Sequence, residues 1–410
     1  MDMAGTRRFP IGLLCTWGVT RLALLLFVYK VWTFPGPDVT SDVSVIYHGW
    51  YETLRTGTFP HQDVTWQYPP AAALAILSPA LLPFVDYTHA FYDIVFLADL
   101  AVLCLLQFAG LRPGKTLRGA WVWTIGVALL GPTVYARYDV MVTAVAVAAV
   151  LAGTRHPRMM GALAGFGALL KVWPALLLAG AVKRRAWFSA AATAGGLALL
   201  FALTMPGAFS FLTFQRDRGT EVESLGSMVF HVARHFGWEG RVMLNYGSVE
   251  FLGPYVDWVS WAAVFLSVIA FGWLLLWRLS VRRMTAQGVA DAAFVAVLMF
   301  TITSRVISPQ YMVWLVGLAA VSLCFHGSRM VLPGGLVLAS CLATVLEFPV
   351  YFGDVVTSTP LGITLLFVRN GLLVAAALIA ARELWRGTVS RPAPTVPPQA
   401  TRTQETLTPS

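Results

Sequence analysis

The chain has 410 residues, of which 57% are hydrophobic and 12% carry a charge. Soluble domains have about 45–50% apolar and about 25% charged residues, so this composition excludes a water-soluble domain, a disordered chain and a disulfide-rich scaffold. The net charge is +9, but the cations lie in short clusters between apolar runs, which is the pattern that orients membrane proteins. We therefore expect a polytopic membrane protein and no nucleic-acid partner.

Apolar segments follow one another along most of the chain and predict an all-α membrane fold. They cover residues 10–34, 70–85, 88–111, 119–135, 138–153, 159–170, 172–182, 186–206, 255–278, 287–304, 309–326, 329–350 and 360–384. A membrane-crossing helix needs about 20 apolar residues, so several segments are short for a full crossing. We predict a single integral-membrane domain over residues 1–386 and a disordered cytoplasmic tail over residues 387–410, which is rich in Pro, Thr and Ser.

The positions of the basic clusters favour one topology. If all of them are cytoplasmic, the chain crosses about twelve times with both termini inside, provided that 70–85 does not cross and that 159–182 is a pair of short helices broken near Lys171. In the alternative, 70–85 crosses fully and 159–182 is one span. The clusters at Arg112 and Arg155 then face outward, so we prefer the first arrangement because it violates the charge rule least. Its outer-face segments are the first outer loop 35–69, the long outer loop 207–254, the region around 171, and the short segments 133–139, 304–310 and 351–359.

The first outer loop contains an amphipathic stretch, residues 43–55, that predicts a juxtamembrane helix at the lipid interface. Asp42 stands just before this stretch. One interpretation makes Asp42 only the cap of the helix, and the other makes it a carboxylate at the bilayer surface that acts as a general base. Asp63 is a second carboxylate in the loop, and Pro69 and Pro70 open the next apolar segment.

Ionisable residues interrupt the apolar segments further along the chain, where they are costly unless they are paired or functional. Arg137 and Asp139 lie at a segment boundary, and we interpret them equally well as ion-pairing residues or as site residues. Lys171 breaks an apolar run; it either reaches to the membrane surface or supplies a cation to a cavity, and we favour the cavity. Arg305 precedes Ser308, which we predict to cap the helix that follows.

The sequence predicts no metal or cofactor site. His231 and His235 have the spacing of two metal ligands on one helix, but no third ligand lies near them in the sequence, so we predict a solvent-exposed helix face. No Gly-rich phosphate loop, dinucleotide-binding motif or zinc motif occurs in a supporting context.

Several short motifs occur in a specific order. They are Asp42 and Tyr47, Gly57-x-x-Pro60-x-x-Asp63, Tyr68-Pro69-Pro70, Arg137-Tyr138-Asp139, Lys171-x-x-Pro174, Glu223-Ser224 and Arg305-x-x-Ser308-Pro309-Gln310-Tyr311-x-x-Trp314. Together they resemble the motifs of glycosyltransferase family 87, whose members are integral-membrane enzymes with the GT-C fold that use polyprenyl-phosphate sugars. The best-known members are actinobacterial mannosyltransferases that depend on polyprenyl-phosphate mannose, including one that extends phosphatidylinositol mannosides.

This resemblance implies an inverting transfer of a mannosyl residue from polyprenyl-phosphate mannose to a hydroxyl of a lipid-linked glycan on the outer face of the plasma membrane, which gives an α-mannoside. Asp42 would be the general base, with Asp63 as the reserve. The expected ligands of the donor phosphate are Lys171, Arg137 and Arg305, and the expected ligands of the sugar and acceptor are Tyr47, Tyr68, Asp139, Glu223, Gln310 and Tyr311. Because cations face the leaving phosphate, the reaction would need no metal and no cofactor.

A secondary transporter or a lipid flippase is the main alternative. Such proteins often show inverted repeats and place their sites near the bilayer midplane. This chain shows no internal repeat, and its ionisable residues fall mostly on one predicted face, so we favour the transferase. Gln310 and Tyr311 stand where some relatives are expected to carry histidines, which leaves the identity of the acceptor open.

Overall fold

The computed structural model describes residues 10–153, 155–216 and 219–389, without the side chains of residues 214–216. Most of the predicted disordered tail, 387–410, lies outside this range. The described residues are mostly helical, as the apolar segments predict. The α-helices are α1 (Ile11–Val28), α2 (His48–Arg55), α3 (Ala72–Leu77), α4 (Tyr87–Gly110), α5 (Arg118–Leu129), α6 (Asp139–Ala152), α7 (Pro157–Leu170), α8 (Arg184–Thr204), α9 (Phe211–Arg216), α10 (Met228–Ala233), α11 (Val256–Ser280), α12 (Ala286–Thr303), α13 (Tyr311–Leu323), α14 (Val331–Val345), α15 (Phe352–Thr357) and α16 (Pro360–Thr388).

Short 3₁₀ and π-helical segments extend or connect these helices. They are Asp42–Tyr47, Ser78–Leu81, Gly131–Val134, Trp173–Gly180, Arg234–Phe236 and Leu346–Val350. The first of them runs directly into α2, so the helical conformation predicted over 43–55 is confirmed as one continuous stretch.

Seven helices in the described part of the chain are long and apolar enough to cross a membrane. They are Ile11–Val28, Tyr87–Gly110, Arg184–Thr204, Val256–Ser280, Ala286–Thr303, Val331–Val350 and Pro360–Thr388. The protein is therefore a membrane protein. The count of about twelve crossings stays a prediction, because the remaining apolar helices are shorter than the roughly 20 residues that a crossing needs.

The core of the bundle is formed by α12 and α13. Helix α13 is apolar on every side, a pattern that requires burial all round, and nearly every residue of it is buried among α5, α6, α12 and α14. Helices α8 and α11 lie at the periphery, where most of their apolar side chains are exposed. Exposed apolar helix faces of this length suit contact with lipid.

The segments predicted to share the outer face meet at one end of the bundle. Arg137 contacts Asp42 of the first outer loop, and the Ile307 amide donates to Glu221 of the long outer loop. The short segment 351–359 joins them through contacts with the long outer loop. Polar and charged residues from distant parts of the sequence therefore lie together at this end of the bundle.

Basic segments meet at the other end of the bundle. Arg155 and Arg185 line the same shallow pocket, while α6 runs from Asp139 at the first end to Ala152 beside this pocket. The structure therefore supports the preferred topology and argues against the alternative, in which the cluster at Arg155 faces the side opposite to the cluster at Arg185.

The helical path breaks at Lys171, as predicted. Helix α7 ends at Leu170, Lys171 is extended with φ −156° and ψ 141°, and a 3₁₀ segment with Pro174 near its start follows. The segment predicted not to cross, 70–85, forms only the short helical stretch Ala72–Leu81, which spans roughly 15 Å at 1.5 Å per residue.

The long outer loop contains a small sheet, which was not predicted from the sequence, within an otherwise helical fold. Its strands are β1 (Thr220–Glu221), β2 (Arg241–Asn245) and β3 (Ser248–Leu252), all antiparallel in the order β1-β3-β2. Tyr246 and Gly247 join β2 to β3 with φ of 48° and 76°. Two consecutive positive φ values are the mark of a type I′ turn, whose twist matches that of paired strands.

Candidate active site

A cavity of about 450 Å³ lies at the end of the bundle where the predicted outer segments meet. We call it the main cavity. Its wall combines residues 42–50, 65–69, 171–173 and 304–314 with the tip of the β2–β3 hairpin. Seven of the eleven site residues predicted from the sequence line it: Asp42, Tyr47, Tyr68, Lys171, Arg305, Gln310 and Tyr311.

Asp42 lies on the wall of the main cavity in the first turn of its helix, and its side chain is 33% exposed. Its carboxylate forms an ion pair with the Arg137 guanidinium. Asp42 lies inside the first turn and is not the residue that caps it, and the Thr40 N–H just before this helix donates to Asp38 Oδ1 at 2.9 Å, so the interpretation of Asp42 as a simple cap is wrong. Arg137 also donates to the Ala136 carbonyl at 2.8 Å and lies behind Asp42, outside the cavity lining.

Lys171 and Asp139 form an ion pair beside the main cavity. Lys171 Nζ lies 2.6 Å from Asp139 Oδ1, and Trp314 Nε1 donates to the same oxygen at 2.6 Å. Asp139 is itself buried, so it reaches the cavity through Lys171 and Trp314, which line it. Three motifs that are separate in the sequence therefore meet at one carboxylate.

Aromatic rings surround the Lys171 ammonium group. The Nζ atom lies 5.1–5.7 Å from the ring centroids of Tyr68, Tyr138, Tyr311 and Trp314. Ring faces attract cations, so the rings and the Asp139 carboxylate together hold the ammonium at the cavity wall. Lys171 is only 8% exposed and does not extend to the membrane surface.

Stacked aromatic rings form part of the same wall. The rings of Tyr311 and Trp314 have centroids 4.0 Å apart, and those of Trp314 and Trp173 lie 5.1 Å apart. Tyr47 and Trp50 form a second stack at 5.3 Å on the first-loop helix. Ligand sites are commonly lined by aromatic side chains with a few placed polar groups. This lining suits a sugar ring, which has apolar faces and a hydroxyl-bearing edge.

Glu221 holds the segment 304–310 against the main cavity. The Ile307 N–H donates to Glu221 Oε2 at 2.6 Å, and the Ser308 hydroxyl donates to Oε1 at 2.9 Å. From the other side, the Arg369 guanidinium donates to the Ile307 carbonyl at 3.1 Å. Ser308 therefore does not cap α13, and that prediction is wrong. Glu221 was not predicted as a site residue, since its only signal is a position two residues before the Glu-Ser motif.

Asp63, the reserve base, lies outside the main cavity. Its Oδ2 atom accepts from Trp50 Nε1 at 2.8 Å, and its Oδ1 atom accepts from the Thr65 N–H at 2.9 Å and hydroxyl at 2.6 Å. Both carboxylate oxygens are thus engaged in holding the first outer loop. This position favours a structural role for Asp63.

Glu223 lies in a buried cluster that does not line the main cavity. Its carboxyl group lies against that of Glu347, and Arg369 pairs with Glu347 at 2.7 Å and donates to the Glu223 carbonyl at 2.7 Å. Burial, together with the negative charges of Glu347 and Glu221, raises the pKa of Glu223 well above its usual range. Its predicted role as a sugar ligand finds no support in this position.

His231 is buried, which corrects the prediction of a solvent-exposed helix face. Its Nε2 atom lies 2.7 Å from the Val222 carbonyl and its Nδ1 atom 2.8 Å from the Ser358 hydroxyl. Burial and the nearby Arg234 guanidinium lower the pKa of His231 to about 4. Within the described residues, no group of three His, Cys, Asp or Glu side chains has the arrangement of a metal site.

The sequence was also compared with known families and proteins. Residues 66–309, more than half of the chain, match the sequence profile of glycosyltransferase family 87. The chain belongs to glycosyltransferase family 87. No curated protein and no solved structure gave a significant match. The protein is therefore a membrane glycosyltransferase.

Members of family 87 can be compared with this chain over a range that includes Tyr68, Lys171 and Arg305, whereas Asp42 lies before it. The fold nevertheless brings Asp42 into the same cavity as these residues. A carboxylate can take the proton from a hydroxyl, and fixed cations stabilise the charge that develops on a leaving group. Glycosyl transfer from a phosphate can use both.

Proposed function

We propose that this family 87 glycosyltransferase transfers a mannosyl residue from polyprenyl-phosphate mannose to a hydroxyl of a lipid-linked glycan, with inversion to an α-mannoside. The observation that carries the proposal is the composition of the main cavity, in which Asp42, Lys171 and Arg305 share one space lined by aromatic rings.

A lipid-linked donor accounts for the position of the cavity. Val172 and Leu212 both line the main cavity, and more than half of each apolar side chain is exposed. An isoprenoid chain can leave the cavity between them and remain in the bilayer, while its phosphate and sugar stay among the polar groups. Burying such a chain in lipid is favourable by about 0.8 kcal/mol per CH₂.

In the proposed reaction, Asp42 takes the proton of the acceptor hydroxyl while that oxygen forms the new bond to the anomeric carbon. The bond from the anomeric carbon to the phosphate oxygen breaks, and its electron pair leaves with the phosphate. Lys171 and Arg305 face the phosphate and stabilise its growing charge. We assign Arg137 to positioning Asp42, because the two side chains form an ion pair. No divalent metal takes part.

The remaining assignments belong to the same proposal. We place the enzyme in the plasma membrane as a GT-C-type bundle of about twelve crossings, with both termini in the cytoplasm and the main cavity on the outer face. Support comes from the basic segments that gather at the end of the bundle away from the cavity. Residues 1–386 form its single domain.

The test uses the purified protein in lipid nanodiscs, polyprenyl-phosphate mannose with a labelled sugar, and membrane glycolipids as acceptors. We expect labelled glycolipid with an α linkage by NMR, and no loss of rate with EDTA. A protein that moves the labelled donor across liposomes without transferring the sugar would instead be a flippase or transporter, and the proposal would be rejected.

A further inference from the structure

A second cavity, of about 560 Å³, adjoins the main cavity. It lies between α2 and residues 58–65, and it shares Ile46, Trp50 and Thr65 with the main cavity. Asp42, Ile46 and Trp50 are four residues apart and share one helical face. That face leads from Asp42 to the second cavity over roughly 12 Å.

Hydrogen bonds fix the walls of the second cavity. Asp63 accepts from Trp50 Nε1 at 2.8 Å and from the Thr65 hydroxyl at 2.6 Å, which ties α2 to the loop that faces it. The Phe59 N–H donates to the Pro206 carbonyl at 3.0 Å, which fixes this loop against the end of α8. Because the walls are held before any ligand arrives, binding costs little ordering entropy.

The lining of the second cavity combines an indole ring, small polar groups and the Asp63 carboxylate, and it includes no lysine or arginine among the described residues. Gln62 makes no hydrogen bond with any residue that the structure describes. His61 bonds to the Phe59 carbonyl through Nδ1 at 3.1 Å, which leaves Nε2 for a ligand. Hydrogen-bonding groups beside an aromatic ring, with a carboxylate and no cation among them, match a sugar residue and not a phosphate.

We propose that the second cavity binds the acceptor sugar residue that precedes the one receiving the new mannose. This inference rests on the proposed function, since the receiving hydroxyl must lie near Asp42. The preceding residue then lies along the helix face, beside Trp50, His61 and Gln62. The acceptor class is therefore a lipid-linked glycan with at least a disaccharide, and not a lipid that carries a single sugar.

The test compares two synthetic acceptors, octyl α-mannoside and octyl α-mannobioside, with nanodisc-embedded protein and polyprenyl-phosphate mannose. We expect the wild type to have the lower KM for the mannobioside. Gln62→Ala should raise this KM about three- to tenfold, the effect of losing a neutral hydrogen bond, and leave the KM for the mannoside and for the donor unchanged. Equal KM values in the wild type, or an unchanged mannobioside advantage in Gln62→Ala, would overturn the proposal.

Glu52→Gln is the matched control, because Glu52 lies on α2 with an exposed side chain and lines neither cavity. Both KM values should stay at those of the wild type. Saturation-transfer NMR of the mannobioside, without donor, distinguishes failure of the sugar site in the second cavity from failure of the proposed transferase function. Binding that Gln62→Ala removes, in a protein that transfers no sugar, supports the carbohydrate site and rejects the proposed function. Transfer without any mannobioside preference rejects the site alone.

Discussion

Two ion pairs meet at the main cavity and differ in exposure. The Asp42 side chain, paired with Arg137, is 33% exposed, whereas that of Asp139, paired with Lys171, is 1% exposed. A base must reach the hydroxyl from which it takes a proton. Asp42 satisfies this condition, and Asp139 is positioned to hold Lys171 instead.

Asp42→Asn is expected to lower the transfer rate by about 100-fold or more, the usual contribution of a general base. The amide cannot take up the proton, but it is nearly the same size and can still accept a hydrogen bond from Arg137, so the melting temperature should change little. The measurements are initial transfer rates and thermal unfolding of the purified variant.

Asp38→Asn is the control for this variant, since Asp38 lies in the same loop, lines neither cavity and pairs with Lys30 at an exposed site. An asparagine there can still accept the hydrogen bonds that Asp38 receives from the Thr40 N–H and hydroxyl. It should keep wild-type transfer. Near-normal turnover by Asp42→Asn would show that another group takes the proton.

Lys171→Met is expected to abolish transfer and to destabilise the fold by about 3–5 kcal/mol, the cost of leaving a buried charge without its partner. The unpaired charge would be that of Asp139. Adding Asp139→Asn should restore much of the stability and none of the activity. Thermal unfolding and transfer rates of both variants check this, and recovery of activity in the double variant would reduce Lys171 to a structural role.

At the scale of elements, the Glu221 carboxylate joins β1 of the long outer loop to the segment 304–310 by hydrogen bonds from Ile307 and Ser308. Glu221→Gln is expected to raise the KM for the donor about tenfold, because the amide cannot accept the bonds from Ile307 and Ser308 as the carboxylate does. The KM for the acceptor should stay unchanged. Glu239→Gln, in an exposed part of the same loop, is the control and should leave both KM values unaltered.

The long outer loop is also joined to the segment 351–359 through His231, which predicts a pH dependence. The pKa of His231 is lowered from 6.5 to about 4, so the unfolded chain takes up a proton at a higher pH than the fold. The contribution of neutral His231 to the free energy of unfolding is therefore fully present above pH 6.5. It is lost as the pH falls toward 4, by up to about 3 kcal/mol. Thermal unfolding between pH 7 and 4 should show the loss, and His231→Gln should flatten it.

The helices could be predicted from the sequence, but several contacts between them could not. Runs of apolar residues mark helix positions closely, and Pro174 marks the break at Lys171. Arg21 and Arg369 also interrupt apolar runs, yet nothing in the sequence names their partners. Arg21 pairs with Asp99 and Arg369 with Glu347, and these pairs depend on which helices pack together.

The β2–β3 hairpin was not predicted because its local sequence signals are weak. Its strands are short, Arg241–Asn245 and Ser248–Leu252, and its turn is Tyr246-Gly247 instead of the more typical Asn-Gly. Tyr246 and Ser248 line the main cavity, so the missed hairpin also hid part of the site.

For the whole molecule, the cavity end of the bundle carries the main cavity, and the basic end carries Arg155 and Arg185. Because these ends are separated, we predict that cysteines placed at them are labelled from opposite sides of the membrane. In a variant without its cysteines, Glu52→Cys should react with an impermeant maleimide in intact cells, because Glu52 belongs to the cavity end. Arg185→Cys, at the basic end, should react only after permeabilisation. Labelling of Arg185→Cys in intact cells would reverse the proposed orientation.

The hairpin tip, Val172 and Leu212 all border the main cavity. Gly247 lies close to Thr65 of the first outer loop, so these two loops meet at the cavity, while Val172 and Leu212 border it with more than half of each side chain exposed. Under the proposed function, the lipid-linked donor enters between Val172 and Leu212. A donor that arrives this way is drawn from the surrounding leaflet. Its effective concentration is a surface density, and adding inert phospholipid at constant bulk donor should slow catalysis by surface dilution.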